Sequence, residues 1–162
     1  MSPDVTISER RDEWRYDYVR NGKQGWQADF PIREEVEDHA GRRRSFVITC
    51  HEGGLGFTVR AEEEGSPGAG YQFGAYSETS PYSALGRLRQ KMHRSVATRH
   101  ISGSPGAYEM LHDTLSGRIT SDGKGGVILV VDGKGLGSEN LASMLLTHEG
   151  WEFDLRIVDA LE

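Results

Sequence analysis

The chain has 162 residues, 36% hydrophobic and 27% charged, with a formal net charge of −6, enough for one domain with its own core. No apolar run approaches the ~20 residues that cross a bilayer, and "MSPDVTISERRDEW" lacks the basic-then-apolar order of a secretory signal, so a cytoplasmic protein without a membrane partner is expected. One cysteine excludes an internal disulfide and a cysteine-based zinc ribbon, and the acidic balance leaves nucleic-acid attraction to a local basic patch.

In "WRYDYVR", Trp14, Tyr16 and Tyr18 share one face by period-two alternation, and Asn21-Gly22 is a hairpin turn signal. "GWQADF" reads as the return strand and "PIREEVEDHAG" as a short acidic helix closed by Gly41. Three strands follow. "RSFVITCH" sets Phe46, Ile48 and Cys50 against Val47, Thr49 and His51; "LGFTVRAEE" puts Phe57 and Val59 on one face; "GYQFGAYS" comes after a turn. Short spacing and glycine-rich turns predict an antiparallel meander.

"SPYSALGRLRQKMHRSVATRHI" is the clearest helix, over about 80–100. Ser80 is a good N-cap and Pro81 suits the first helical position. Leu85, Leu88, Met92 and Val96 form one apolar stripe; Arg87, Lys91 and Arg94 fall opposite it, with Arg89 and Arg99 at the edges. "SGSPGAYEMLHDT" reads as a short helical turn. "LSGRITS" and "GVILVVD" flank the turn "DGKGG" and predict a hairpin. A second helix, about 138–149, is capped by Ser138, with Leu141, Met144, Leu145 and His148 on one face and Gly150 as its left-handed stop. Trp151 is expected to fold back on Leu145 or Leu146. "WEFDLRIV" then predicts a last strand with Trp151, Phe153, Leu155 and Ile157 inward.

These elements give an α+β fold of mostly antiparallel sheet with two main helices. Residues 1–162 are read as a single domain, with sub-lobes at 1–41, 42–101 and 102–162.

Most of the tempting chemistry has a structural explanation. His148-Glu149 marks a helix end, where a histidine suits the dipole. Cys50 shares a face with Phe46 and Ile48, and adjacent His51 points the other way, so the thiol reads as structural. His39, His51, His93, His100, His112 and His148 are scattered without metal-ligand spacing, so no metal is implied. No G-x-S-x-G elbow or Ser/His/Asp order is present, Glu62–Glu64 read as a solvated strand end, and no catalytic residue or cofactor is assigned. In "VILVVDGKGLGSENL" a strand, three glycines and a helix outline a phosphate cradle at Gly133, Lys134, Gly135, Gly137 and Ser138. The spacing is G-x-G-x-G, however, and the strands before it are antiparallel.

Residues 81–101 hold five Lys/Arg and no Asp/Glu, while 102–162 hold four against ten. A basic helix on an acidic body is the leading functional feature. It predicts a non-enzymatic interaction module that docks a protein partner or a second copy through Arg87, Lys91, Arg94 and Arg99. The alternative is a nucleotide- or phosphate-binding protein or enzyme using the Gly133–Ser138 loop; a third is nucleic-acid binding through the same helix. The sheet-then-basic-helix order faintly resembles the second half of a double-stranded-RNA-binding domain and antitoxin-like β-β-β-α modules, but "SPYSALG" stands where the RNA-binding module has a lysine cluster.

The stretches "YQFGAYSE…LGRLRQKMHRSVATRHI", "GRI…VILVVDGK" and "LASMLLTHEGWEFDLRIVD" resemble a bacterial family of domains of unknown function. The shared pattern is a strand ending in Val/Ile-Asp-Gly, a helix ending in Glu-Gly and an aromatic last strand. The resemblance spans roughly 45–160; it implies an α+β bacterial cytoplasmic domain and carries no catalytic residue.

Overall fold

The structure is a computed structural model that describes residues 25–65 and 70–162. The expected hairpin around Asn21-Gly22 lies outside the described residues. Four antiparallel strands in sequence order make the first sheet: β1 (Ile32–Glu37), β2 (Arg43–Glu52), β3 (Phe57–Glu63) and β4 (Gln72–Ser77). Helix α1 (Pro81–Ala97) lies across one face. Its stripe of Leu85, Leu88, Met92 and Val96 is buried with Phe46, Ile48, Val59, Ala61 and Ala75. Each of these side chains larger than alanine contributes roughly 1.5–3 kcal/mol of apolar burial. The helix starts as its sequence dictates: Ser80 Oγ accepts the N–H groups of Tyr82 (3.0 Å) and Ser83 (3.4 Å), and Pro81 follows.

Two expectations near the first sheet are overturned. "PIREEVEDHAG" is not a helix, because Ile32–Glu37 form β1 in register with β2, Ile32 opposite Ile48 and Val36 opposite Arg44. Ile32 and Val36 are four apart, a spacing that fits either a helix or every second strand position. Glu34 settles the matter: on the same strand face, it reaches Arg89 of α1. The turn into β2 is organised by Asp38. Its buried carboxylate accepts N–H groups of Ala40 and Arg42 and the Arg44 guanidinium, each at 2.9 Å. "GWQADF" is not a strand either: Trp26–Asp29 make a 3₁₀ turn that lays Trp26 edge-on against Phe30 and Phe57.

After α1 come a two-stranded hairpin, β5 (Ile101–Ser102) and β6 (Glu109–Met110), then an antiparallel sheet of β7 (Arg118–Ser121), β8 (Val127–Val131) and β9 (Lys134–Leu136), then α2 (Ser138–Leu146). Ile101, Val131, Leu136 and Met144 form a second small core. The β5–β6 hairpin replaces the helical turn expected in "SGSPGAYEMLHDT"; Gly103 turns at φ +96°, where an added Cβ would collide with the Ala107 carbonyl. The β7–β8 hairpin is as expected. Gly137, not Ser138, is the N-cap of α2, and Ser138 is its first residue, with no side-chain cap bond. The helix ends at Leu146, and Gly150 takes the left-handed φ of +90°. The Trp151 N–H donates to the His148 carbonyl (2.9 Å), and the Trp151 ring meets His148 edge-on at 4.9 Å.

The last expected strand is absent: residues 151–158 form neither helix nor strand, and all are exposed. Alternation records what a segment is able to pair as, and among the described residues no strand pairs with it.

A buried hydrogen-bonded junction ties the β8–β9 turn to the start of β5. The Asp132 carboxylate accepts the N–H groups of His100 (2.8 Å) and Ile101 (2.9 Å) and bonds His100 Nδ1 (2.8 Å). Next to it, Gly133 lies so close to Tyr71 that an added Cβ would stand 3.1 Å from the ring.

Candidate interaction surface

The basic residues of α1 have unequal surroundings. Arg87 and Arg94 are exposed. Arg89 is committed to Glu34, with its Nε and Nη2 both donating to the carboxylate, the latter at 2.8 Å. Lys91 is half-buried, and its Nζ donates to the carbonyls of Gly74 (2.7 Å) and Ala160 (2.9 Å). Burial, aided by Arg87, draws the Lys91 ammonium below the usual lysine range, while Asp159 and Glu162 oppose the shift. Arg99 lies beyond the helix end, where its Nε donates to the Ile101 carbonyl (3.0 Å). With His39 and His112 it lines an open hollow of about 610 Å3 at the C-terminal end of α1. Arg87, Lys91 and Arg94 therefore make one ridge, and Arg99 belongs to a separate place.

The acidic run Glu62–Glu64 does not neutralise that ridge. Glu63 pairs with Arg44 at 2.8 Å and Glu64 with Arg33. Instead the chain's C-terminal residues approach the ridge through Lys91. Leu161 sits over Gly74, where an added Cβ would come within 2.8 Å of its Cδ2.

The glycine-rich loop has a structural role in the sheet. Asp132 (φ +54°) and Gly133 (φ +78°) are the two central residues of the β8–β9 hairpin, both left-handed as in a type I′ turn. Lys134 and Gly135 lie within β9, in register with Val131 and Val130. Gly137 caps α2 and Ser138 begins it. A phosphate cradle needs uncommitted N–H groups between strand and helix; here a paired strand occupies that stretch.

Cys50 lies half-buried against the first core, and burial, with Glu52 adding, pushes its thiol up to about 11. His148 rests on Asp113 (3.0 Å), which with the Met144 carbonyl raises its pKa above the ordinary histidine value. Among the described residues no three His, Cys, Asp or Glu side chains are placed to hold a metal ion, and no helix is long and apolar enough to cross a membrane.

Residues 28–97 match a family model described as a domain of unknown function (DUF7686), and residues 100–162 match another (DUF7713). The chain is thus similar to two uncharacterised domains in tandem. The boundary between the two matches falls directly after α1. No curated protein and no solved structure matches the chain.

Sequence reasoning missed three contributors to this surface and its support: Asp132, Tyr71 and the exposed run 151–158. Asp132-Gly133 carries a type I′ signature that points to the hairpin. The burial of Tyr71, whose OH has no hydrogen-bond partner, has no sequence signal.

Proposed function

We infer that the protein is a non-enzymatic interaction module that docks a protein partner or a second copy of itself. The observation that carries this reading is the run of large apolar side chains between Trp151 and Val158, all exposed. A contiguous apolar patch on a folded surface marks a docking site, whereas single exposed leucines do not. The Arg87–Lys91–Arg94 ridge is joined to this run through the Lys91–Ala160 bond. An apolar patch beside a basic ridge supplies adhesion from one part and orientation from the other. Arg99 adds a cation beyond the helix end.

A single domain over residues 1–162, a bacterial origin and a cytoplasmic location belong to the same proposal. The single-domain reading is supported by bonds that cross the boundary between the two matches, from Arg118 Nη2 to the Gly70 carbonyl (3.0 Å) and from Lys91 Nζ to the Ala160 carbonyl (2.9 Å). Two sets of variants test the function: Arg87→Glu with Lys91→Glu, and Phe153→Asp with Leu155→Asp. Each should weaken self-association or the retention of proteins from cell extract, and nucleotides should leave the melting temperature unchanged. If both sets behave as wild type, the reading is wrong. A nucleotide-induced thermal shift that Gly135→Val abolishes would replace it with the ligand-binding alternative.

A further inference from the structure

Trp151, Phe153, Leu155, Ile157 and Val158 are each 65–87% exposed. Together they leave on the order of 800 Å2 of surface open, about what one partner contributes to a standard-size interface. The run is held at both ends. Trp151 N–H is bonded to the His148 carbonyl, and beyond Val158 the Lys91 ammonium holds the Ala160 carbonyl. Its ends are committed within the chain, while the side chains between them are all exposed. An exposed segment with the alternation of a strand can pair with an incoming strand as a sheet edge does.

The sequence of the run is self-complementary. Antiparallel pairing of "WEFDLRIVD" with an identical copy about Leu155 puts Phe153 opposite Ile157 and Asp154 opposite Arg156, each twice by symmetry. Aromatic against β-branched and acid against base are favourable cross-strand pairs. Centring the pair on residue 154 sets Asp154 against Asp154, and centring it on residue 156 sets Arg156 against Arg156. An axis between Leu155 and either neighbour opposes it to Asp154 or Arg156. The register about Leu155 avoids these conflicts, while it sets Glu152 opposite Val158 and Trp151 opposite Asp159.

We propose that residues 151–158 pair antiparallel with the same segment of a second copy, on a two-fold axis through Leu155, to form an isologous homodimer. This deepens the interaction-module reading and rests on it. A two-stranded ribbon alone is marginal, so its apolar face needs a second layer. Leu145 and Leu146, exposed at the end of α2 a few residues before the run, are the apolar side chains available for it.

Charge exchange provides the test. Asp154 and Arg156 are exposed surface residues, 3.4 Å apart within one copy, so Asp154→Arg and Arg156→Asp leave the monomer folded, which circular dichroism checks. By sedimentation equilibrium the wild type should be a dimer. Each single variant places like charges opposite each other twice and should dimerise at least about tenfold more weakly. An equimolar mixture of the two variants restores both acid–base pairs and should recover the dimer as a heterodimer. A wild-type monomer, single variants that dimerise like wild type, or a mixture that stays monomeric would each overturn the proposal. If the wild type is monomeric but Phe153→Asp with Leu155→Asp abolishes retention of an extract partner, self-pairing falls and the interaction-module reading stands. If those variants lose nothing either, both fall.

Discussion

Removing the Asp132 carboxylate should damage this protein out of proportion to its position in a hairpin turn. The side chain is nearly fully buried and accepts two backbone N–H groups, those of His100 and Ile101, besides bonding His100 Nδ1. A hydrogen bond from a buried N–H to a charged acceptor contributes about 1.5–3 kcal/mol, and the orphaned donors keep their desolvation penalty. Alanine would also have to adopt the φ of +54°, which costs it roughly 1–2 kcal/mol. Asp132→Ala should therefore lose at least about 4 kcal/mol, a quarter or more of a typical domain's stability. Asp132→Gly lacks the carboxylate but not the backbone freedom, and should recover about 1 kcal/mol of that loss. Asp132→Asn keeps an oxygen where Oδ2 now serves both N–H groups and tolerates the left-handed turn, so it should lose only about 1–2 kcal/mol. Urea unfolding followed by tryptophan fluorescence and circular dichroism measures the series, with coincident transitions confirming two-state behaviour. An alanine variant within about 0.5 kcal/mol of wild type, or an asparagine variant as damaged as alanine, would refute the assigned role.

Tyr71→Phe should be neutral or raise stability by up to about 1 kcal/mol, because the buried hydroxyl has no partner to lose; a loss above that in urea unfolding would reveal a missed bond. Burial lifts the Cys50 thiol to about 11, so in native protein at pH 8 it should react with a disulfide reagent about a hundredfold more slowly than in unfolded protein. Equal rates would place the thiol at the surface. For Asp38, burial raises the carboxyl pKa, but the N–H groups of Arg42 and Ala40 and the Arg44 guanidinium outweigh it and hold the group at about 2. A depressed folded pKa gives stability that is present above the unfolded value and lost as pH falls from about 5 towards 2. Asp38→Asn should flatten that acid limb of the stability curve; an unchanged slope would assign acid unfolding to other carboxylates.

Where a single physical rule governs a segment, the sequence is legible. Helix α1 was readable because Ser80, Pro81 and the stripe from Leu85 to Val96 agree, and only its end, at Ala97, comes earlier than expected. β2 and β3 were readable because alternation places Phe46, Ile48 and Val59 in the core. β1 was misread because Ile32 and Val36 satisfy both periods, and tertiary pairing with β2 decided between them. The hairpin near Gly103 was hidden by loop-like composition. At the surface, the location of the basic ridge could be read, but the partners of Lys91 and Arg89 could not, since each bonds a group far away in sequence. The run 151–158 shows the converse: its pattern is that of a strand, yet among the described residues no strand pairs with it.

Gly74 has a consequence of its own. Leu161 occupies the space that a side chain on this buried β4 residue would need, and Lys91 holds the Gly74 carbonyl and that of Ala160 together. A single methyl group there would evict the leucine and convert a bridge fastened at two points into a tail fastened at one. The smallest residue in the first sheet thus acts as the latch for the most apolar stretch of the exterior.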